Sequence, residues 1–134
     1  MTTYKGNSGV VKVGAVPTAV AEVTQFSVTE VVGTVEDTAL GDTARTHVSD
    51  DLPDWNGSIT CHYFPGDTNG QAALLVGTTI ACEFHPIGTA AGREKLTGTG
   101  IITSRQVGDV ANAAIVPLVI QVKGSGALTH GVNP

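Results

Sequence analysis

Charge is what this sequence has least of. Only 14% of its 134 residues are Asp, Glu, Lys or Arg, against about 25% in an ordinary globular domain. Acids outnumber bases, 12 to 7, for a net charge of −5. No basic face is therefore available to grip phosphates by counterion release, which argues against sequence-specific nucleic-acid binding. No run approaches the ~18–20 apolar residues that cross a bilayer. The opening MTTYKGNSG has one lysine and no apolar segment of the signal-peptide kind. Cysteine is scarce too: Cys61 and Cys82, both in strand-like runs, allow one disulfide at most. The expected setting is a bacterial cytosol with the thiols reduced.

Catalytic signatures are missing as well. His47, His62, His85 and His130 are scattered, with no G-x-S-x-G elbow among them. Gly98-Thr-Gly100 lacks the helix and the Lys-Ser/Thr that a phosphate loop needs. Cys61, His62, Cys82 and His85 have ligand chemistry, and Cys82-Glu-Phe-His85 has C-x-x-H spacing. Strand alternation, however, sends the members of each pair to opposite faces, so a tetrahedral zinc site would need two bulges. Buried cysteines with surface or interface histidines are the ordinary reading. Asp50, Asp51 and Asp54 are close enough to suggest calcium, but the alternating ligands and glycine of an EF-hand are absent. The sequence thus implies no enzyme, no metal and no cofactor.

What is present is glycine (17 residues), threonine and valine, with 41% hydrophobic residues. That pattern predicts one mainly β domain over residues 1–134. Residues 1–8 read as a flexible arm, 9–14 as a short strand, and Val20–Val32 as a long strand with a bulge near Thr24. Residues 58–64, 78–87, 95–107 and 114–124 follow as strands, the first of them interior to a sheet, and Pro117 is expected at an edge or bulge. Gly98 and Gly100 leave a shallow strip where another backbone or sheet can approach. Asp67, Thr68 and Gln71 make an N-terminal cap for one helix ending at Gly77. Residues 125–134 read as a loose tail. The expected architecture is an antiparallel sandwich or partly closed barrel with one short flanking α-helix and one long loop.

That loop, Gly33 to Asn56, holds six of the twelve acids: Glu36, Asp37, Asp42, Asp50, Asp51 and Asp54. Connections in compact domains mostly run to about 4–6 residues, so this one needs a purpose. Leu40, Leu52 and Trp55 are apolar within an acidic segment that also carries Arg45. Their expected cover is another protein surface, which makes the loop a docking arm. Low charge and strands apolar on both faces suit subunits whose flanks are covered by neighbours.

The order of parts — a strand ending T-E-V-V, the loop with D-T-A-L-G-D, a W-N-G-S-I-T strand start and a short helix after P-G-D — resembles phage major tail tube proteins. The resemblance spans roughly residues 10–128 and is most specific over 35–60. It implies two packed antiparallel sheets flanked by a helix. Six copies would form a ring, and stacked rings a hollow tube through which DNA is ejected. The partners it implies are the chain itself, a tape-measure protein in the lumen, and tail tip and terminator proteins, with no membrane binding and a location in the virion tail. Tubes of contractile tails and type VI secretion share the fold. Candidate docking residues are then Leu40, Asp42, Arg45, Asp50, Asp51, Leu52 and Trp55. Glu22, Glu30 and Glu83 are candidates for the lumen, where like charge keeps DNA from sticking. The alternatives are a capsid decoration or tail accessory module and a carbohydrate-binding β-sandwich, the latter with only Tyr4, Trp55 and Tyr63 as stacking platforms.

Overall fold

A computed structural model describes residues 3–50 and 52–134. Ten strands occur in chain order: β1 (Val10–Val13), β2 (Thr18–Ala19), β3 (Val23–Val31), β4 (Thr34–Glu36), β5 (His47–Ser49), β6 (Asp54–His62), β7 (Thr79–His85), β8 (Glu94–Val107), β9 (Pro117–Gly124) and β10 (Thr129–Val132). Eight of them form one antiparallel sheet in the order β2-β1-β7-β8-β9-β6-β3, with β10 added on β8. The other two, β4 and β5, pair only with each other.

The 14-residue β8 organises the sheet. Its first half pairs with β7 and β10, and its second half with β9. The sheet folds over on itself without closing into a barrel, since its path ends at β2 and β3. The fold brings Phe26 of β3 to 5.9 Å from Phe84 of β7, ring centre to ring centre, and sets Trp55 of β6 edge-on to Phe84 at 6.0 Å. Around them lie Val11, Val13, Ile59, Cys61, Leu74, Cys82, Ile102, Leu118, Ile120 and Val122, all buried. The expected mainly β, antiparallel architecture is therefore present. The register shift between Val23 and Gln25 is the expected bulge at Thr24, and β6 lies between β9 and β3 as an interior strand. Pro117 does not mark an edge: it is the first residue of the interior β9, where its missing N–H costs no ladder bond.

Two segments correct the sequence reading. No α-helix follows Asp67 among the described residues; a single 3-10 turn, Gln71–Ala73, stands there. Gly70 before it has φ −109° and ψ −96°, outside the helical basin. The Asp67 carboxylate caps the turn, accepting from the N–H groups of Gln71 at 3.0 Å and Ala21 at 2.8 Å. Gln71 itself is buried and fully occupied. Its Nε2 donates to the Ala21 and His62 carbonyls, and its Oε1 accepts from the Phe64 N–H. Arg105 donates to the carbonyls of Gln71 and Leu74. Tertiary hydrogen bonds, not helix propensity, thus hold this connection.

The second correction is the C-terminal segment, which is not loose. β10 pairs with β8 from Thr129–Thr97 to Val132–Glu94. Leu128 and Asn133 are buried, and the Asn133 amide donates to the carbonyls of Gly88 and Arg93. At the other terminus Gly6–Ser8 makes a 3-10 turn and the Arg93 guanidinium lies 5.9 Å from the Tyr4 ring centre. The flexible arm expected over residues 1–8 is thus ordered in part, and its first two residues lie outside the described ones.

Candidate assembly surface

The long connection is a hairpin rather than an irregular loop. β4 and β5 pair through Thr34–Ser49, Val35–Val48 and Glu36–His47. The Asp50 N–H donates to the Gly33 carbonyl at 2.9 Å, which closes the base. Several of its acids serve this turn chemistry. Asp42 Oδ2 accepts from the Ala39 N–H at 2.7 Å at the tip, and Asp37 Oδ1 accepts from the Thr46 hydroxyl. Asp50 Oδ1 accepts from the Leu52 N–H at 3.1 Å, and Arg45 stands 3.9 Å from Glu36. Such Asx contacts give a short polar side chain a local partner, which is why these residues favour turns.

Every described residue from Val31 to Pro53 is exposed. Leu40 is fully exposed and Leu52 is 77% exposed. Val35 and Val48, directly paired across the hairpin, share one of its faces, while Thr34, Glu36, His47 and Ser49 share the other. The arm thus presents an apolar strip that its own subunit does not cover. An isolated two-stranded hairpin is marginal in water. Asp51 lies outside the described residues.

Trp55 departs from the expectation. It is 1% exposed, on β6 with Gly57, Ile59 and Cys61 on the same inner face. Its indole fills the strip left by Gly98 and Gly100, joined by Gly124: a Cβ on Gly98 would come within 2.9 Å of the ring, and one on Gly124 closer still. The strip that was expected to admit another backbone admits this side chain instead. A signal was available, because the odd-numbered alternation Ile59–Cys61 extends back through Gly57 to Trp55.

The three acids proposed for a lumen are not on one face. Glu22 is exposed where β3 begins, with φ 60° in the left-handed region, and its carbonyl accepts from the His62 N–H. Glu30, near the end of β3, lies 2.9 Å from His130 Nε2 of β10, and His130 Nδ1 lies 3.6 Å from Glu94. The Glu30 hydrogen bond raises the His130 pKa above its ordinary value. Glu83 lies across from Lys12 and Thr97 on the outer face of the sheet, within a shallow trough that also includes Ala81, Thr99, Ser125 and Thr129.

His85, expected at a surface or interface, is buried. Glu83 is 3.4 Å from its Nε2 without hydrogen-bond alignment, and burial keeps the ring below its usual pKa. Cys61 and Cys82 are buried free thiols, each pushed up to about 11 by burial. Among the described residues, no three His, Cys, Asp or Glu side chains gather closely enough to hold a metal ion.

No protein-family model matches the sequence, and no curated protein does. Solved structures do match. A chain from the virion of a native gene transfer agent particle superposes with a TM-score of 0.79 at 15% identity, over 96% of this chain and 99% of that one. A chain from the tail of the empty particle, solved with helical refinement and C6 symmetry, also gives 0.79, at 14% identity, over 96% and 99%. The SPP1 tail tube gives 0.75 at 13% identity, over 98% of this chain and 80% of that one. The fold is that of tail-tube structures.

Proposed function

We propose that this chain is a structural tail subunit that assembles with copies of itself into stacked six-membered rings, forming a tube through which DNA is ejected. The observation that carries this reading is an exposed arm with an apolar strip on a fold whose matches are chains of tails and tubes. Six-fold closure is supported by the C6 symmetry of the gene transfer agent tail, at a likeness that covers nearly both chains. A heterologous contact, in which an arm meets a different surface of the next copy, generates rings or open stacks rather than closed dimers. Leu40, Leu52, Val35 and Val48 supply the contact, and Asp42, Asp50 and Arg45 shape and solvate the arm around it. Glu83 is the lumen candidate that best suits a channel for a polyanion, since it stands in an outer trough of small side chains such as Thr97, Thr99, Ser125 and Thr129, with Lys12 opposite it. A tape-measure protein would occupy that lumen before DNA, and terminator and tip proteins would close the ends.

The test is imaging of the purified chain by negative stain, beside a variant in which residues 34–49 are replaced by Gly-Ser-Gly. The replacement is geometrically mild because Gly33 and Asp50 are already hydrogen-bonded. Tubes or six-fold rings from the parent, and a folded monomer from the variant, support the reading. Monodisperse parent particles with no rings at any concentration would overturn it in favour of a decoration or accessory module.

A further inference from the structure

We infer that His130 is a positioning residue for the arm: it ties the end of β3, where the arm departs, to β8 through a bridge of two carboxylates. This rests on the arm's role in assembly. Glu30 precedes the last residue of β3, Val31, and lies three residues before Gly33 at the arm's base. β10 has its backbone partners on β8, so without His130 the C-terminal strand would have no link to β3 from this side chain. The bridge crosses the open side of the folded sheet, between strands that are not hydrogen-bonded neighbours.

The chemistry follows from the two ring nitrogens. Nε2 faces Glu30 at 2.9 Å and Nδ1 faces Glu94 at 3.6 Å. A neutral imidazole can donate its one N–H to Glu30 but carries no charge to attract Glu94; the imidazolium donates to Glu30 and pairs electrostatically with Glu94. The charged ring is therefore held by both carboxylates, whereas the neutral ring keeps an Nε2–H bond to Glu30 and loses the attraction to Glu94. Lys95 on β8, next to Glu94, is placed by alternation on the opposite face from Glu94 and His130's partner Leu96.

The sign is set by the direction of the His130 shift. Its pKa is raised in the folded chain, chiefly by Glu30. The cross-link is therefore complete below the ordinary histidine pKa of about 6.5 and is lost as pH rises through the higher folded value. The arm's root is held more tightly in acid than in mild base, where the charge is gone and the Nε2–H bond to Glu30 alone remains. The bridge is solvent-exposed, so salt weakens it as well.

The experiment measures two things between pH 5.5 and 8.5 on the full chain and on His130→Gln, Glu30→Gln and Glu94→Gln. One is amide exchange at Asp50 and the β4–β5 pairs in the unassembled subunit. The other is the rate of assembly by light scattering. The parent should lose several-fold protection at the arm root across this range, in step with the His130 ring titration seen by NMR. Each variant should show the high-pH behaviour at every pH. Should His130→Gln fold and keep the parent's pH profile in exchange, His130 does not position the arm. If that variant fails to fold, Glu30→Gln decides in the same way, because it removes the one contact from His130 to β3. A subunit that shows the exchange profile but never forms rings would leave the bridge standing and remove the tube.

Discussion

Leu52 and Trp55 are three residues apart in the same acidic segment, and they have opposite fates: one is 77% exposed, the other 1%. The difference lies in which element each belongs to. Trp55 is the second residue of β6 and continues its inner face, so the strand's alternation carries the indole onto the glycines of β8 and β9. Leu52 precedes the strand and belongs to the arm, where no described residue from Val31 to Pro53 is buried. The body and the arm thus use the same residue types for different ends. In the body an apolar group completes its own subunit's core; in the arm it remains uncovered by its own chain.

The sharpest break of that comparison is Trp55→Ala. A buried tryptophan truncated to alanine costs about 3–5 kcal/mol, and the three glycines around it offer no side chains to collapse into the space. Chemical denaturation of the unassembled subunit should show that loss, and a loss below about 1 kcal/mol would mean the indole is not core in the sense used here. Next comes Gln71→Ala. It leaves the Phe64 N–H and the Ala21 and His62 carbonyls without their partner, and unsatisfied buried polar groups cost about 1–3 kcal/mol in all but relaxed cases. A smaller but kinetic readout comes from the thiols. With both pushed up to about 11 and buried, Cys61 and Cys82 should resist alkylation at pH 8 in the folded subunit and react at once in denaturant. Prompt labelling of the native chain would show that the body opens far more readily than its packing implies.

These two regions also divide what the sequence disclosed. Alternation and turn residues were enough for the antiparallel class, the bulge at Thr24, the interior position of β6 and the buried cysteines, because each is a local pattern with a period of two. The arm was visible as a long acidic connection, although its internal pairing was not: Thr34–Glu36 and His47–Ser49 are three residues each, too short to alternate convincingly. Trp55 was misplaced because reading it with the loop sets it apart from the alternation of β6, and its seat, glycines of two later strands, is nonlocal. The helix after Asp67 was overread for a related reason. Asp67 does hold the start of the turn, but the Thr68–Gln71 capping box does not form: Gln71 reaches Ala21, His62 and Phe64 instead, and with Gly70 and Arg105 this pulls the segment into a single tight turn. β10 went unseen because Thr129–Val132 has no pattern of its own and is a strand only by pairing with β8.

The smallest expected effect on the subunit is the most telling for assembly. Val35→Ser together with Val48→Ser removes the apolar face of the hairpin while leaving its backbone pairing and its Asx contacts in place. Both side chains are about half-exposed in the subunit, so their loss should move unfolding by no more than about 0.5 kcal/mol, the range of surface substitutions away from special features. In an assembled contact the same two side chains would be desolvated, and each would contribute of the order of 1 kcal/mol or more, as buried valines do. The two effects therefore separate cleanly: unchanged denaturation with a raised critical concentration for tubes means that the strip belongs to the neighbour. Equal losses in both would mean that the hairpin packs on its own subunit in solution, and the distinction between arm and body would dissolve. Normal tubes from a normally stable double variant would leave Leu40 and Leu52 to carry the contact, and adding Leu40→Ser and Leu52→Ser to the same chain would then settle whether the arm touches a second copy at all.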